Sequence, residues 1–195
     1  MEVKAEKKIK FDQEKSLIWN KMIDPSFMVK SVPGAELTEQ TDERHFKGKI
    51  SIKIGPVTAK FNGEAEFTLL DESNNELTME GKGLDSSGRG SANMTMNIKL
   101  LPLEDGKTEM QSSMKLSITG KLAQFGSRMI VAVNNKMFDQ WSNNFIDLLN
   151  EKSENSTNEN DLTKKINETD DTKSQPVKAL PLLWTALKSI FSKNS

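Results

Sequence analysis

The sequence predicts an α+β domain in which a curved antiparallel sheet wraps around one long C-terminal helix. Two patterns carry this prediction. Between residues 46 and 118, apolar residues alternate with polar ones through consecutive segments separated by turn signals. From Leu122 to Leu149 the apolar residues switch to three- and four-residue steps and keep them over seven turns. The order is strand, short helices, several strands, then the long helix. An amphipathic sheet followed by one amphipathic helix buries both apolar faces when the sheet closes around the helix.

The first strand is expected from Val3 to Phe11. Asp12 is a candidate N-cap for a short helix carrying Leu17, Ile18, Met22 and Ile23, which Pro25 ends. Phe46, Gly48, Ile50, Ile52 and Ile54 then share one strand face. After the Gly55-Pro56 turn, Val57, Ala59, Phe61, Gly63, Ala65, Phe67 and Leu69 share the next. Asp71 to Asn75 is turn chemistry. Leu77, Met79, Gly81 and Gly83 alternate with Thr78, Glu80 and Lys82, and Ala92, Met94, Met96, Ile98 and Leu100 follow. Past the Glu104–Lys107 turn, Met110, Ser112, Met114, Leu116 and Ile118 complete the meander. The long helix presents Leu122, Phe125, Met129, Val133, Met137, Trp141, Phe145 and Leu148 along one stripe.

These signals occupy residues 1–150 of the 195. Residues 151–178 are rich in Asn, Ser, Thr, Asp, Glu and Lys and bury too little apolar surface to offset chain entropy, so they are expected to form a disordered tether. Residues 179–195 turn apolar again. At 100° per residue Leu183, Trp184, Leu187, Ile190 and Phe191 fall on one side, with Lys188 on the polar side. Such a helix rises roughly 20 Å, short of the roughly 30 Å needed to cross a bilayer, so it can lie on a membrane, fill a partner's groove or pack on its own domain. From Val177 onward there are three lysines and no acid, which suits an anionic lipid surface.

A net charge of −1 gives no electrostatic case for nucleic acid. The absence of cysteine excludes disulfides and thiolate chemistry. Met1 to Lys8 lacks the apolar core of a secretory signal, and no run of eighteen apolar residues exists, so the expected address is the cytoplasm. His45, the one histidine, sits beside charged residues at a strand start, where a surface role is expected. Gly81-Lys82-Gly83 with Gly88-Arg89-Gly90 looks like a phosphate cradle but joins two strands, whereas a cradle needs a strand-to-helix turn.

The inward list carries the functional signal. It mixes small residues (Gly48, Ala59, Gly63, Ala65, Gly81, Gly83, Ala92) with thioethers (Met79, Met94, Met96, Met110, Met114), facing Met129 and Met137 on the helix. Two readings stand side by side. Adaptable thioether walls above small residues leave room for an apolar guest, or the methionines pack a core and the glycines ease sheet curvature. On the first reading the chamber is lined by Phe46, Ile50, Ala59, Phe61, Gly63, Met79, Gly81, Met94, Met96, Met110, Met114, Phe125, Met129, Val133 and Met137.

Several words of the sequence occur in order: Asp24-Pro25, Val32-Pro33-Gly34, Lys53-Ile54-Gly55-Pro56-Val57, Gly81-Lys82-Gly83 and Gly90-Ser91-Ala92. Above all there is Gly120-Lys121-Leu122-Ala123-Gln124-Phe125-Gly126-Ser127-Arg128-Met129-Ile130, with Lys136-Met137, Gln140 and Asn144-Phe145 beyond. Over roughly residues 3–149 the chain resembles the CoxG family of carbon monoxide dehydrogenase, which falls in the START-like (SRPBCC; polyketide cyclase and lipid-transport) superfamily. The resemblance implies a helix-grip fold. It also implies a non-catalytic accessory role: recruiting a molybdenum-containing carbon monoxide dehydrogenase or related hydroxylase to the inner face of the cytoplasmic membrane. It implies a hydrophobic cavity for a quinone (menaquinone-like) or lipid, no covalent cofactor, and a variable tail ending in a membrane-binding segment. A START-like cyclase or hydrolase acting on a hydrophobic substrate, and an assembly chaperone for the hydroxylase, are the alternatives.

Overall fold

The computed structural model describes residues 1–167, with side chains through Glu151. The elements in order are β1 (Glu2–Phe11), α1 (Lys15–Met22), α2 (Pro25–Ser31), β2 (Ala35–Gln40), β3 (His45–Ile54), β4 (Val57–Asp71), β5 (Glu76–Asp85), β6 (Ser91–Pro102) and β7 (Thr108–Ile118). A 3-10 turn, Gly120–Phe125, then leads into α3 (Gly126–Asn167). All seven strands form one antiparallel sheet in the order β1-β7-β6-β5-β4-β3-β2. Consecutive strands from β2 to β7 are neighbours because short turns join them, and β1 closes on β7. Met1–Ser153 form one compact unit.

The expected alternation holds on almost every strand: from Phe46 to Ile54 each apolar residue is shielded or partly shielded and each residue between them is exposed. It fails in one place. A bulge between Phe67 and Leu69 resets the β4–β5 register, so Leu69 turns out to solvent (43 % exposed) and Leu70 packs inward in its stead.

Three boundaries differ from expectation. Asp12 does not cap α1; Glu14 occupies the N-cap without a side-chain bond, and Asp12 instead pairs with Lys107 at 2.7 Å. Capping belongs to Asp24, whose carboxylate accepts from the backbone N–H groups of Ser26 and Phe27 at the start of α2, with Pro25 in the first turn. The long helix begins at Gly126 rather than Leu122. Gly126 has φ +78°, a left-handed conformation that interrupts the helical path and that a side chain would strain. At its other end α3 continues to Asn167, beyond the expected boundary at 150 and into the stretch read as a tether. The rest of that stretch and the amphipathic segment 179–195, with Leu183, Trp184, Leu187, Lys188, Ile190 and Phe191, lie outside the described residues.

The space between sheet and helix is packed at two separate places. One cluster joins Phe11, Ile18, Trp19, Met22, Phe27, Phe67, Leu100, Met110, Phe145 and Leu149, bringing α1 and α2 against the later turns of α3. Its aromatic rings interlock: Phe145 lies 5.5 Å from Phe11 and 5.3 Å, edge-on, from Phe27. Asn144 ties α3 to α2 by donating to the Ser31 carbonyl at 3.0 Å. The second cluster joins Val3, Ile54, Ala59, Phe61, Ile118, Leu122 and Ile130 at the start of α3.

Candidate functional site

Between these clusters lies a belt whose composition follows from strand register. Phe67, Met79, Met96, Met114 and Ala5 stand opposite one another across β4, β5, β6, β7 and β1. The next inward row is Phe46, Ala65, Gly81, Met94, Leu116 and Val3, and the one beyond is Gly48, Gly63, Gly83, Ala92 and Ile118. Met79, Met94, Met96 and Met114 therefore form one continuous thioether patch beside a strip of residues with little or no side chain. Met94 and Met114 belong to neither packed cluster, and both stay partly accessible to solvent while facing inward. Inward side chains that water still reaches mark unfilled space.

The fifteen residues expected to line a chamber separate into groups. Phe46 and Met110 sit in the first cluster and Ala59 and Phe61 in the second; Met110 is 1 % exposed and packs as core. Met79 and Met96 pack partly against the first cluster, and Ile50, Phe125 and Val133 against the second. Gly63, Gly81, Met94, Met114 and Met137 remain partly open. Met129 is exposed, and its Cε approaches the β3–β4 turn, 3.6 Å from where a Gly55 side chain would begin.

The glycines divide as well. A Cβ on Gly63 would stand 2.3 Å from the Lys82 carbonyl oxygen and 3.0 Å from Gly83 Cα, so Gly63 lets β4 and β5 approach closely and does not open volume. Gly48 is similar, with the Glu36 carbonyl oxygen at 2.7 Å. A Cβ on Gly81 would meet only Met94 Cε at 3.6 Å and the Glu64 carbonyl oxygen at 3.8 Å, an ordinary contact. Gly81 is the glycine whose smallness leaves room.

Polar groups enter this interior sparingly. Lys7 occupies an inward position of β1, its Nζ 5.4 Å from the Phe138 ring centre. Ser112 donates to the Lys7 carbonyl at 3.4 Å, and Thr108 is engaged with the Gln13 carbonyl at 2.8 Å. Trp141 stacks between Phe138 and Phe145 at 5.5 and 5.3 Å, and its indole Nε1–H is buried with no acceptor. An unsatisfied buried donor costs about 1–3 kcal/mol. Sequence reasoning placed Trp141 on the stripe but gave it no chemical role, because only three-dimensional packing shows that its N–H lacks an acceptor.

The one acid facing this interior near the second cluster is already committed. Asp85, its side chain 0 % exposed, receives Arg89 Nη2 at 2.7 Å and Nε at 2.9 Å, with the backbone N–H groups of Ser87 and Arg89 at 3.1 and 3.2 Å. Arg89 holds the Asp85 carboxyl well below the usual carboxylate range, and its Nη2 also donates to the Thr58 carbonyl at 2.9 Å. The latch pins the β5–β6 loop to β4. The resemblance of Gly88-Arg89-Gly90 to a phosphate cradle hid this simpler signal, an Asp opening a Ser-Ser-Gly turn with an Arg four residues on. His45 lies on the surface as expected, between Asp42 (2.9 Å) and Glu66 (3.2 Å); its bond to Asp42 raises its pKa.

Two grooves lie on the outer face of the sheet. One, about 670 Å³, is bordered by Glu6, Lys8, Thr78, Asn97, Lys99 and Ser113; the other, about 360 Å³, is bordered by Glu36, Lys49 and Lys60 as well as Ile50 and Phe61. Their charged, open walls do not suit an apolar guest. Among the described residues no group of three or more His, Cys, Asp and Glu could hold a metal. Nor, among them, is any helix long and apolar enough to cross a membrane.

A seven-stranded sheet closed on a C-terminal helix, with a softly packed belt between, defines a helix-grip domain of the START-like class. The chain belongs to the CoxG family of carbon monoxide dehydrogenase, whose sequence model matches residues 8–150. Among curated proteins no sequence matches it. A conserved protein from Geobacillus kaustophilus is similar in structure, with a TM-score of 0.70 and 23% identity over 76% of this chain and 96% of that one. Zhui aromatase/cyclase from Streptomyces sp. R1128 follows with 0.56 and 10% over 78% and 96%. Norcoclaurine synthase from Thalictrum flavum gives 0.54 and 14% over 77% and 88%. At such identities the likeness is one of fold.

Proposed function

We propose that this protein is a non-catalytic accessory protein that holds a quinone or lipid in the belt between sheet and α3. In this reading it brings a carbon monoxide dehydrogenase-type molybdenum hydroxylase to the inner face of the cytoplasmic membrane. The observation that carries the reading is the thioether patch of Met79, Met94, Met96 and Met114, inward yet incompletely covered, beside Gly81. Flexible, polarizable walls accommodate an irregular isoprenoid or acyl chain better than branched side chains do. The family supports the hydroxylase as partner, and segment 179–195 supports membrane attachment through its apolar side and lysines.

A purely accessory role is supported by the state of the interior polar groups. Asp85 is neutralised by Arg89 and Thr108 is bonded to backbone, which leaves no paired acid and base facing the belt among the described residues. Any electron transfer belongs to the partner, and this protein supplies proximity and a dry site.

Native mass spectrometry of the full chain isolated from its own cell tests the ligand. A co-purifying isoprenoid quinone or lipid at one per chain is expected. An empty chain that stays empty after incubation with menaquinone vesicles overturns the carrier reading, and turnover of a hydrophobic substrate overturns the accessory one.

A further inference from the structure

A net charge of −1 conceals a strong polarity in the folded domain. The β2–β3, β4–β5 and β6–β7 turns all lie at one end of the sheet and carry Asp42, Glu43, Asp71, Glu72, Glu104 and Asp105 against few cations. The other end is built from the β3–β4 turn, the β5–β6 loop, the Gly120–Phe125 turn and the first residues of α3. It exposes Lys53, Lys121 and Arg128, none with a carboxylate partner among the described residues. The two carboxylates here are already paired, Glu2 with Lys115 at 3.0 Å and Asp85 with Arg89 at 2.7 Å. The cations therefore face solvent without local compensation.

Apolar side chains stand among them. Met129 (38 % exposed) and Val131 (36 %) project from the start of α3 beside Arg128. The contact between Met129 and the Gly55 turn places them on one surface with Lys53. The Leu122 N–H, bonded to the Arg89 carbonyl at 3.3 Å, fixes the Lys121 turn against the β5–β6 loop at the same end. Apolar tips ringed by unpaired cations, on a domain whose far end is acidic, complement a negatively charged lipid surface and orient the molecule on it.

We propose that this basic end of the domain is itself a docking face for an anionic bilayer, distinct from segment 179–195. The inference rests on the membrane part of the function proposed above and needs no contribution from the tail. It sets the domain with the start of α3 and the second cluster toward the lipid and the acidic turns toward the cytoplasm. The belt's ligand then has a short path to the bilayer, and the acidic end is left for the partner enzyme.

The chain has no cysteine, so Val131→Cys in the full-length protein takes a single environment-sensitive fluorophore, and Asp105→Cys takes one at the opposite end. On phosphatidylcholine vesicles containing about a third phosphatidylglycerol, the label at 131 is expected to shift to the blue and the label at 105 to stay unchanged. Pure phosphatidylcholine gives no shift, and salt at about 0.5 M reverses it. Lys53→Glu with Arg128→Glu lowers partitioning roughly twentyfold or more. Flotation of the chain without a shift at 131 overturns the inference while leaving tail anchoring intact. A chain that fails to float on any vesicle removes the membrane reading and this face together. A shift at 131 caused by the partner enzyme and not by vesicles assigns the face to protein and equally overturns the proposal.

Discussion

At the scale of single residues the structure turns on side chains whose partners decide their meaning. Asp85 is the clearest. Its carboxylate accepts four bonds from Arg89 and Ser87, which favour the charged form. A carboxylate held below its unperturbed value near 3.8 in the folded state stabilises the fold fully above that value. The contribution is lost as pH falls through the depressed folded value. Asp85→Asn should therefore be less stable than the parent at neutral pH, with the gap narrowing steadily as the solution is taken below about pH 4. Urea denaturation of both proteins along a pH series measures this; a gap independent of pH would mean the latch acts by shape and not by charge. In the sequence Asp85-Ser86-Ser87-Gly88 reads only as a turn, and nothing in it tells that the carboxylate is shielded and answered by a guanidinium.

At the scale of elements, what could be read in advance was whatever repeats locally. Period-two alternation located the strands because each face meets a different environment, and the 3.6-residue stripe located α3 for the same reason. The bulge at Phe67–Leu69, the strand β2 and the left-handed step at Gly126 were not legible, since each is set by neighbours distant in sequence. Register was not legible either, so the thioether patch was a set of methionines without neighbours until pairing put Met79, Met96 and Met114 side by side. The glycines show how register changes interpretation: Gly63 answers to the β5 backbone, whereas Gly81 has open contact distances. Gly63→Ala should lose about 2–3 kcal/mol because a backbone carbonyl cannot yield to the new methyl. Gly81→Leu should leave thermal stability nearly unchanged while blocking uptake of a menaquinone analogue. Thermal melts and equilibrium binding on the pair decide this. A Gly81→Leu protein that binds normally would place the ligand elsewhere.

At the scale of the whole molecule, two well-packed clusters flank a belt that the protein's own side chains fill incompletely. A guest lying there touches residues that answer to both clusters, so binding should stiffen the domain as one body. At a free ligand concentration a hundred times its Kd, linkage adds about 2.7 kcal/mol, which for a chain of this size is a rise of roughly 5–10 °C in Tm. The orphaned Trp141 N–H sharpens the expectation. Trp141→Phe keeps an aromatic ring between Phe138 and Phe145 and removes the unsatisfied donor, so the ligand-free variant should be no less stable than its parent once the smaller ring area is allowed for. If a ligand carbonyl accepts that N–H, a quinone will raise the Tm of the variant less than that of the parent, whereas an isoprenoid hydrocarbon without a carbonyl will raise both alike. Equal gains from the quinone would remove Trp141 from recognition and leave the thioether wall to hold the ligand by its chain alone. In that case selectivity should follow chain length and not head group, and the same melts, repeated with quinones of shorter tails, would read it directly.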